Sequence, residues 1–311
     1  MNNKIPKKLN ILVTGGAGFV GSHLVDKLLT LKHKVVIIDN LSTGQKKFVH
    51  GGDFYKIDIK SPMLSNIFKK YKFDIVFHLA AQKSVPDSIK DPKFDAQENI
   101  IGSLNLLENC RKYNIKKLVF VSSGGAIYDD ANEYPTTEKS EAKPLTPYAI
   151  AKFSIEKYIN FYGKVHGLKY TILRPANIFG PRQDPHGEAG VTAIFISNLL
   201  NKKKCYITGG GKQTRDFVYV QDVVSALIKA TKTNNKIYNV ATAEDISILK
   251  LYKKIASLIG IEQDFDSKPK VKGEVLKSQL SYQKIKKDLK WKPKYSLKEG
   301  IQETIQYFKD N

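Results

Sequence analysis

Tyr148 and Lys152 are spaced for proton chemistry. They bound the stretch Tyr148-Ala149-Ile150-Ala151-Lys152, which reads as the start of a helix from Tyr148 to Tyr162. Positions i and i+4 share one helical face, so a phenol and an ammonium lie side by side. A phenol titrates near ~10 in water, and a fixed positive charge beside it favours the phenolate and lowers that value. Such a pair can act as a general base near neutral pH. The same spacing is common on solvated helix faces, so the surrounding elements decide what it does. Upstream, the apolar run Leu118-Val119-Phe120-Val121 ends in Ser122-Ser123-Gly124-Gly125. In an open α/β sheet, ligands sit beyond the carboxyl ends of the strands, which is where these hydroxyls fall.

The elements that must position these groups begin at Ile11-Leu12-Val13-Thr14-Gly15-Gly16-Ala17-Gly18-Phe19-Val20-Gly21. This reads as a buried strand, a glycine-dense turn and the start of a helix continuing from Ser22 to Leu31. Gly15 suits a tight turn, Gly18 lets backbone N–H groups approach a ligand, and Gly21 lets the helix pack close on the strand. The N–H groups at the helix start face a pyrophosphate, whose negative charge the helix dipole favours. A second buried-strand pattern, Lys34-Val35-Val36-Ile37-Ile38, ends in Asp39. A carboxylate there, roughly 20 residues past the glycines, is placed to bind an adenosine ribose. It would repel a 2′-phosphate, which favours NAD over NADP. Further strand patterns stand at Phe54 to Ile57, before Asp58-Ile59, and at Ile75 to His78; helical patterns run from Pro62 to Tyr71 and from Phe94 to Tyr113. The alternation predicts a doubly wound parallel α/β sheet, a Rossmann arrangement. Downstream of a dinucleotide loop and a serine strand end, the Tyr148–Lys152 pair reads as chemical. The positive ring of oxidised NAD would add to the charge favouring the phenolate.

Composition narrows the classes. The 311 residues carry 51 basic and 30 acidic side chains, a formal charge of +21, which invites a nucleic-acid reading. The detail argues against it: four of the basic residues are Arg (Arg111, Arg174, Arg182, Arg215), and the lysines are spread along the chain. Base readout favours Arg and concentrated charge. A diffuse positive field instead suits steering of an anionic metabolite. Where Lys so dominates, an Arg marks a place needing a rigid bidentate fork. Cys110 and Cys205 stand far apart without metal-ligand spacing, so no metal site is expected and a reducing, cytoplasmic location is. No apolar run approaches the ~20 residues of a membrane span. The N-terminal apolar run meets glycines after Val13, unlike a signal peptide.

Taken together, these stretches carry a resemblance. Thr14 to Gly21, Asp39-Asn40-Leu41-Ser42-Thr43-Gly44, Asp58-Ile59, His78-Leu79-Ala80-Ala81, Asn99, Ser122-Ser123 and Tyr148 to Lys152 are followed by Arg174-Pro175-Ala176-Asn177-Ile178-Phe179-Gly180-Pro181-Arg182 and Arg215 to Val220. In this order and over nearly the whole chain they resemble the extended short-chain dehydrogenase/reductase proteins of the NAD-dependent epimerase/dehydratase group. Within it they are most similar to the nucleotide-sugar 4-epimerases that act on UDP-glucose. The run Asp39 to Gly44 is the most specific match.

The resemblance implies a site, residue by residue. Gly15, Gly18, Phe19 and Val20 would hold the NAD pyrophosphate, Asp39 and Asn40 the adenosine ribose, and Asp58 and Ile59 would flank the adenine. Ala80, Ala81 and Lys83 would line the nicotinamide ribose region, with Asn99 and Ser122 nearby. Lys152 would bond that ribose and tune Tyr148, while Ser123 would partner the sugar 4-hydroxyl, with Ser122 as the fallback. Asn177 would contact the phosphates of a UDP-sugar, Tyr206 on the strand Cys205 to Thr208 the uracil, and Arg215 the diphosphate through its bidentate fork. Residues 1–175 with about 214–238 would form the NAD-binding domain, and about 176–213 with 239–311 a smaller α/β substrate lobe with amphipathic helices at Ser247 to Leu258 and Leu297 to Phe308. A homodimer through Phe94–Tyr113 and Tyr148–Tyr162 is expected on the same analogy.

The implied reaction is removal of the 4-hydroxyl proton by Tyr148, hydride transfer to NAD, turning of a transient 4-keto sugar, and return of the hydride to its other face. Sister enzymes that eliminate water or decarboxylate carry an acid just after the hydroxyl pair. Gly124 and Gly125 stand there instead, and Asp129 and Asp130 lie too far along the turn. Three departures stand out. Asp129 replaces the family's glycine, and Val271 replaces an arginine in Pro269-Lys270-Val271-Lys272-Gly273-Glu274, leaving Lys270 or Lys272 to substitute. The small Ser278 stands at a gatekeeper position, where it would leave room for an N-acetyl group. UDP-GlcNAc/UDP-GalNAc is therefore an alternative pair and UDP-glucuronate a weaker one. From another class, a non-catalytic NAD-binding sensor has no need of Ser123, Tyr148 and Lys152 together.

Overall fold

The computed structural model describes residues 8–128, 131–186, 190–261, 264–269 and 275–311. Asp129, Asp130, residues 187–189 and the 270–274 stretch with Val271 lie outside the described residues. The apolar runs become strands: β1 (Asn10–Thr14), β2 (Lys34–Asp39), β3 (Asp53–Lys56), β4 (Ile75–His78), β5 (Lys117–Val121), β6 (Tyr170–Pro175), β7 (Asn177–Phe179), β8 (Cys205–Thr208), β9 (Thr214–Tyr219), β10 (Lys236–Val240), β11 (Asp245–Ser247), β12 (Phe265–Lys268) and β13 (Lys277–Ser278).

Seven of these form a parallel sheet in the order β10-β6-β5-β4-β1-β2-β3. The chain builds outward from β1 to β3, then returns to place β4 on the other side of β1. That reversal opens a crevice beyond the carboxyl ends of β1 and β4. The register aligns Thr14 with Ile38 on one side and with His78 on the other. Helices cover both faces, which is why β2 and β4 read as nearly unbroken apolar runs. On one face Leu24, Val25 and Leu28 of the first helix pack with Val223, Val224 and Leu227; on the other, Leu64, Phe68, Leu106, Ile155 and Ile159 pack against the sheet.

A second sheet joins β11, β9 and β13, with β7 also on β9. A third core, including Phe195, Ile207, Phe217, Leu251 and Ile301, underlies it. Residues 214–219, placed with the first domain by sequence, pair here instead, whereas helix Val220–Ala230 and β10 belong with the main sheet. Ile285, Leu289 and Trp291, placed in the lobe by sequence, pack into the main core beside Val223 and Leu227. The chain crosses between the units more often than composition reveals. The helical pattern expected over Phe94 to Tyr113 is also divided, into Pro92–Ala96, a π-helical turn Gln97–Ile101, and Gly102–Lys112.

Candidate active site

The glycine turn is built by close contacts. Gly15 has φ of +71°, and its N–H donates to the Ile38 carbonyl at 2.8 Å, tying the turn to β2. A Cβ on Gly21 would lie 2.0 Å from the Gly15 carbonyl oxygen, so only glycine lets the helix start this near the turn. Helix Phe19–Thr30 has no side-chain capping bond at Gly18, so its first N–H groups are presented to the crevice, as a diphosphate requires. Asp39 does more than the expected ribose contact. Its two carboxylate oxygens accept from the Ala17 N–H at 3.0 Å and the Leu41 N–H at 2.8 Å, clamping the glycine turn to the end of β2. Burial raises its pKa, and the two backbone bonds oppose that rise. Asn40 donates to Asp58 at 3.0 Å, holding the acid beside Ile59 at the crevice rim.

One cleft of about 1100 Å³ runs from this turn to the second sheet. Gly15, Gly18, Phe19, Val20, Asp39, Asn40, Asp58, Ile59, Ala80, Ala81, Lys83, Ser122, Ser123, Tyr148, Lys152, Asn177, Tyr206 and Arg215 all line it. The tyrosine comes from helix Pro147–His166, whose start is set by Thr146, which accepts from the Ala149 N–H, and by Pro147 in the first turn. Ser123 lies close enough to the Tyr148 hydroxyl to favour its phenolate. Ser122 is different: its Oγ is buried with no hydrogen-bond partner among the described residues. An unpartnered hydroxyl lining the cleft beside Lys152 fits a cofactor ribose or amide.

Lys152 points its ammonium at the Val121 carbonyl at the end of β5, 3.1 Å away, and lies 5.0 Å from the Phe120 ring centre and 5.9 Å from that of Tyr148. The expected lowering of the phenol is not found in the protein alone. Burial is the largest influence on Tyr148 and pushes it up to about 12; Ser123 opposes this and Asp95 adds to it. Burial also pulls Lys152 down to about 8 against the attraction of Asp95 and Glu156. The ammonium is on the expected helix face, but it is not among the influences on the phenol, and the desolvation that both groups share dominates each.

Several contributors escaped sequence reasoning. Arg174 is bidentate, but to Glu156 rather than to a ligand, at 2.9 Å and 2.5 Å, and it also reaches the Tyr128 hydroxyl. This buried pair pins the Tyr148 helix to β6 one turn below Lys152. The signal was available, since Tyr148, Lys152 and Glu156 share one face at spacings of four. Arg182 lines the cleft and pairs with Asp26 of the first helix at 2.8 Å, joining the two units. Gln82 lines the cleft, and Asp95 and His78 sit behind its wall. Asn99 lies there too, buried outside the lining, with its amide donating to Asp95 and to the Gln82 carbonyl.

His78 links the glycine turn to that wall. The Ser103 hydroxyl donates to the Asn99 carbonyl at 2.5 Å, so Ser103 Oγ accepts from His78 Nε2 at 2.8 Å, and His78 Nδ1 accepts from the Thr14 hydroxyl at 2.8 Å. This chain places the proton on Nε2 of a neutral imidazole. Burial holds His78 down to about 3 from 6.5, with repulsion from Lys152 adding to it. The unfolded chain then takes up a proton between about pH 6.5 and 3 that the folded chain refuses, so stability falls as pH falls through that window. The expected slope is about 1.4 kcal/mol per pH unit from this group. Urea unfolding of His78→Gln between pH 7 and pH 4.5 should show a correspondingly shallower loss. A slope equal to that of the unaltered protein would assign the effect elsewhere.

On the substrate side, Asn177 Oδ1 is buried without a hydrogen-bond partner among the described residues, and Asn177 lines the cleft from β7. Tyr206 is 49% exposed, with Lys268 Nζ 4.0 Å from its ring centre, so its flat face is accessible to a base. Arg215 projects from β9 at the same end. Ser278 is its register partner beside it on β13, but it is buried and is not among the residues lining the cleft.

A sequence model of the NAD dependent epimerase/dehydratase family matches residues 11–241, from β1 to the end of β10. A UDP-glucose 4-epimerase of Mycolicibacterium smegmatis is 39% identical over 310 residues, covering 97% of this chain and 99% of that one. A solved structure of a UDP-glucose 4-epimerase with UDP-glucose, from Thermotoga maritima, has a TM-score of 0.96 at 46% identity and covers 97% of this chain and 99% of its own. A UDP-N-acetylglucosamine 4-epimerase from Methanobrevibacter ruminantium, in complex with UDP-N-acetylmuramic acid, has a TM-score of 0.93 at 36% identity, covering 98% and 99%. With likeness spanning both units and the cleft between them, the chain belongs to the NAD-dependent epimerase/dehydratase family.

Proposed function

We propose that this chain is a UDP-sugar 4-epimerase interconverting UDP-glucose and UDP-galactose. The observation that carries the reading is the cleft itself, where Ser123, Tyr148 and Lys152 meet the glycine turn. Tyr148 takes the proton of the sugar 4-hydroxyl, and Ser123 hydrogen-bonds the same oxygen. NAD, when bound, would supply a hydride acceptor that returns what it takes, leaving no net redox change. Lys152 would hold the nicotinamide ribose, with its ammonium 5.9 Å from the Tyr148 ring centre. Asn177, Tyr206 and Arg215 keep the nucleotide fixed while the 4-keto sugar turns, and Tyr148 returns the proton. The chain thus contributes positioning and charge placement.

The position after Ser123 supports epimerisation over elimination. A Cβ on Gly124 would sit 2.4 Å from Leu280 and 2.9 Å from the Arg174 carbonyl, so an acid there is crowded out, whereas at Gly125 the nearest atom is 3.4 Å away and the acid is missing by residue type alone. The N-acetylated pair is a second reading, favoured by the likeness to the Methanobrevibacter ruminantium enzyme. Incubating purified protein with UDP-glucose, UDP-GlcNAc and UDP-glucuronate, followed by chromatographic separation, tests these readings together. Conversion of none of them sinks the proposal, and release of NADP on denaturation would sink the reading of Asp39.

The family analogy extends to assembly. Phe94 and Ile101 on one side, and Tyr158, Phe161 and Val165 on helix Pro147–His166, are exposed apolar side chains on neighbouring helices. We assign this face to a two-fold contact between copies of the chain. Phe161→Glu with Val165→Glu should convert a dimer to a monomer in sedimentation velocity. A monomeric parent protein at micromolar concentration would refute the assignment. The free, buried Cys110 and Cys205 fit a reducing cytoplasm, a location cell fractionation can test.

A further inference from the structure

We propose that Asp26 is a positioning residue for the cofactor: its carboxylate clasps the two chain segments that flank the dinucleotide end of the cleft, and so slows the exchange of bound NAD. The proposal rests on the cofactor reading of the glycine turn given above, and not on the identity of the sugar. Asp26 lies in helix Phe19–Thr30, about two turns past the N–H groups presented to the cleft. It is not itself among the lining residues. Its two oxygens are divided between two segments. Oδ1 meets His50 Nδ1 at 3.2 Å, and Oδ2 meets Arg182 Nη2 at 2.8 Å.

The segment that ends at His50 forms one wall. Its Thr43, Gln45 and Phe48 line the cleft with Asp39 and Asn40, and the Gln45 N–H donates to the Ala17 carbonyl at 2.9 Å, which fastens this wall to the glycine turn. The other wall is the turn after β7, where Arg182, Gln183 and Asp184 line the cleft. His23, one turn before Asp26, holds it as well. Its Nε2 donates to the Pro181 carbonyl at 2.9 Å, while the Gln221 amide donates to its Nδ1 at 3.2 Å. Arg182 then reaches the first wall, with its guanidinium 5.6 Å from the Phe48 ring centre. Its backbone has φ of +67°, a left-handed posture that costs about 1 kcal/mol and persists because the surrounding contacts hold it. Arg182 Nη1 is buried with no hydrogen-bond partner among the described residues, so the ion pair with Asp26 is what anchors the guanidinium. Both walls border the stretch between the glycine turn and Asp39, where the diphosphate and adenosine ribose belong. Clasping them keeps that stretch closed over the cofactor.

Asp26→Asn isolates the ion pair, since an amide oxygen at Oδ1 can still accept from His50 while the amide nitrogen cannot pair with a guanidinium. Purified protein carrying NAD is mixed with excess NAD radiolabelled in its adenine, and the label retained after desalting is followed over time. Asp26→Asn should exchange NAD about fivefold faster than the parent, or more. Arg182→Met tests the same link from the other side, whether or not Asp26→Asn folds, and should speed exchange by a similar factor. Arg182→Lys, which keeps a cation, should fall between Arg182→Met and the parent. The double variant should exchange no faster than the quicker single one, because the two side chains share one link. A pair that was only structural would lower the denaturant midpoint and leave exchange untouched. Unchanged exchange in the folded single variants, or factors that multiply in the double variant, overturn the proposal. No sugar is present in this measurement. If exchange responds as expected but the parent epimerises no UDP-sugar, the clasp stands and the functional reading falls.

Discussion

Tyr148→Phe should lower epimerase turnover by about 10³-fold, with bound NAD and folding retained. The substitution removes one oxygen and keeps the ring that packs near Lys152, so its structural cost is confined to the partner left behind. Ser123 would lose a polar neighbour at a cleft lined with polar groups, which costs about 1 kcal/mol. The chemical cost is far larger, because among the described residues lining the cleft no other phenol lies near Ser123 with an ammonium one turn along its helix. Turnover can be followed by separating UDP-glucose from UDP-galactose, and NAD content by its release on denaturation. Turnover within a few-fold of the parent would remove Tyr148 from the reaction and with it the proposed mechanism.

Gly21→Ala should be the most disruptive single methyl group in the cofactor site. The added Cβ would sit 2.0 Å from the Gly15 carbonyl oxygen and 2.9 Å from the Gly16 Cα, both backbone atoms that cannot rotate away. The turn cannot shift outward freely, since Gly15 is bonded to Ile38 and Asp39 is bonded to Ala17. Overpacking of this kind costs about 3 kcal/mol or more, and the protein should purify without NAD. Gly167 provides the control. It also has φ of +71°, but nothing lies within 4 Å of the place a methyl group would take, so Gly167→Ala incurs only the left-handed backbone penalty of about 1 kcal/mol. Denaturant midpoints for the two variants should differ clearly. Equal midpoints, or full NAD occupancy in Gly21→Ala, would mean that the turn is more plastic than its contacts imply.

What could be read from the sequence was local. The spacing of Tyr148 and Lys152 specifies one helix face, the glycines specify a turn, and the apolar runs specify strands, because periodicities of 3.6 and 2 are properties of neighbouring residues. The order of those elements also limits the sheet to a doubly wound form, and the seven parallel strands follow it. The tertiary structure decided which groups meet across long separations. It set Ser123 near the tyrosine hydroxyl while leaving Ser122 Oγ unpartnered among the described residues, and it turned Arg174 inward to Glu156. It also joined Thr14, His78 and Ser103 into one chain of hydrogen bonds. It moved β9 into the second sheet and set Ser278 beside Arg215. Above all, it set the burial that raises Tyr148 and depresses Lys152. Desolvation depends on every element packed around a group, so no pattern along the chain carries it.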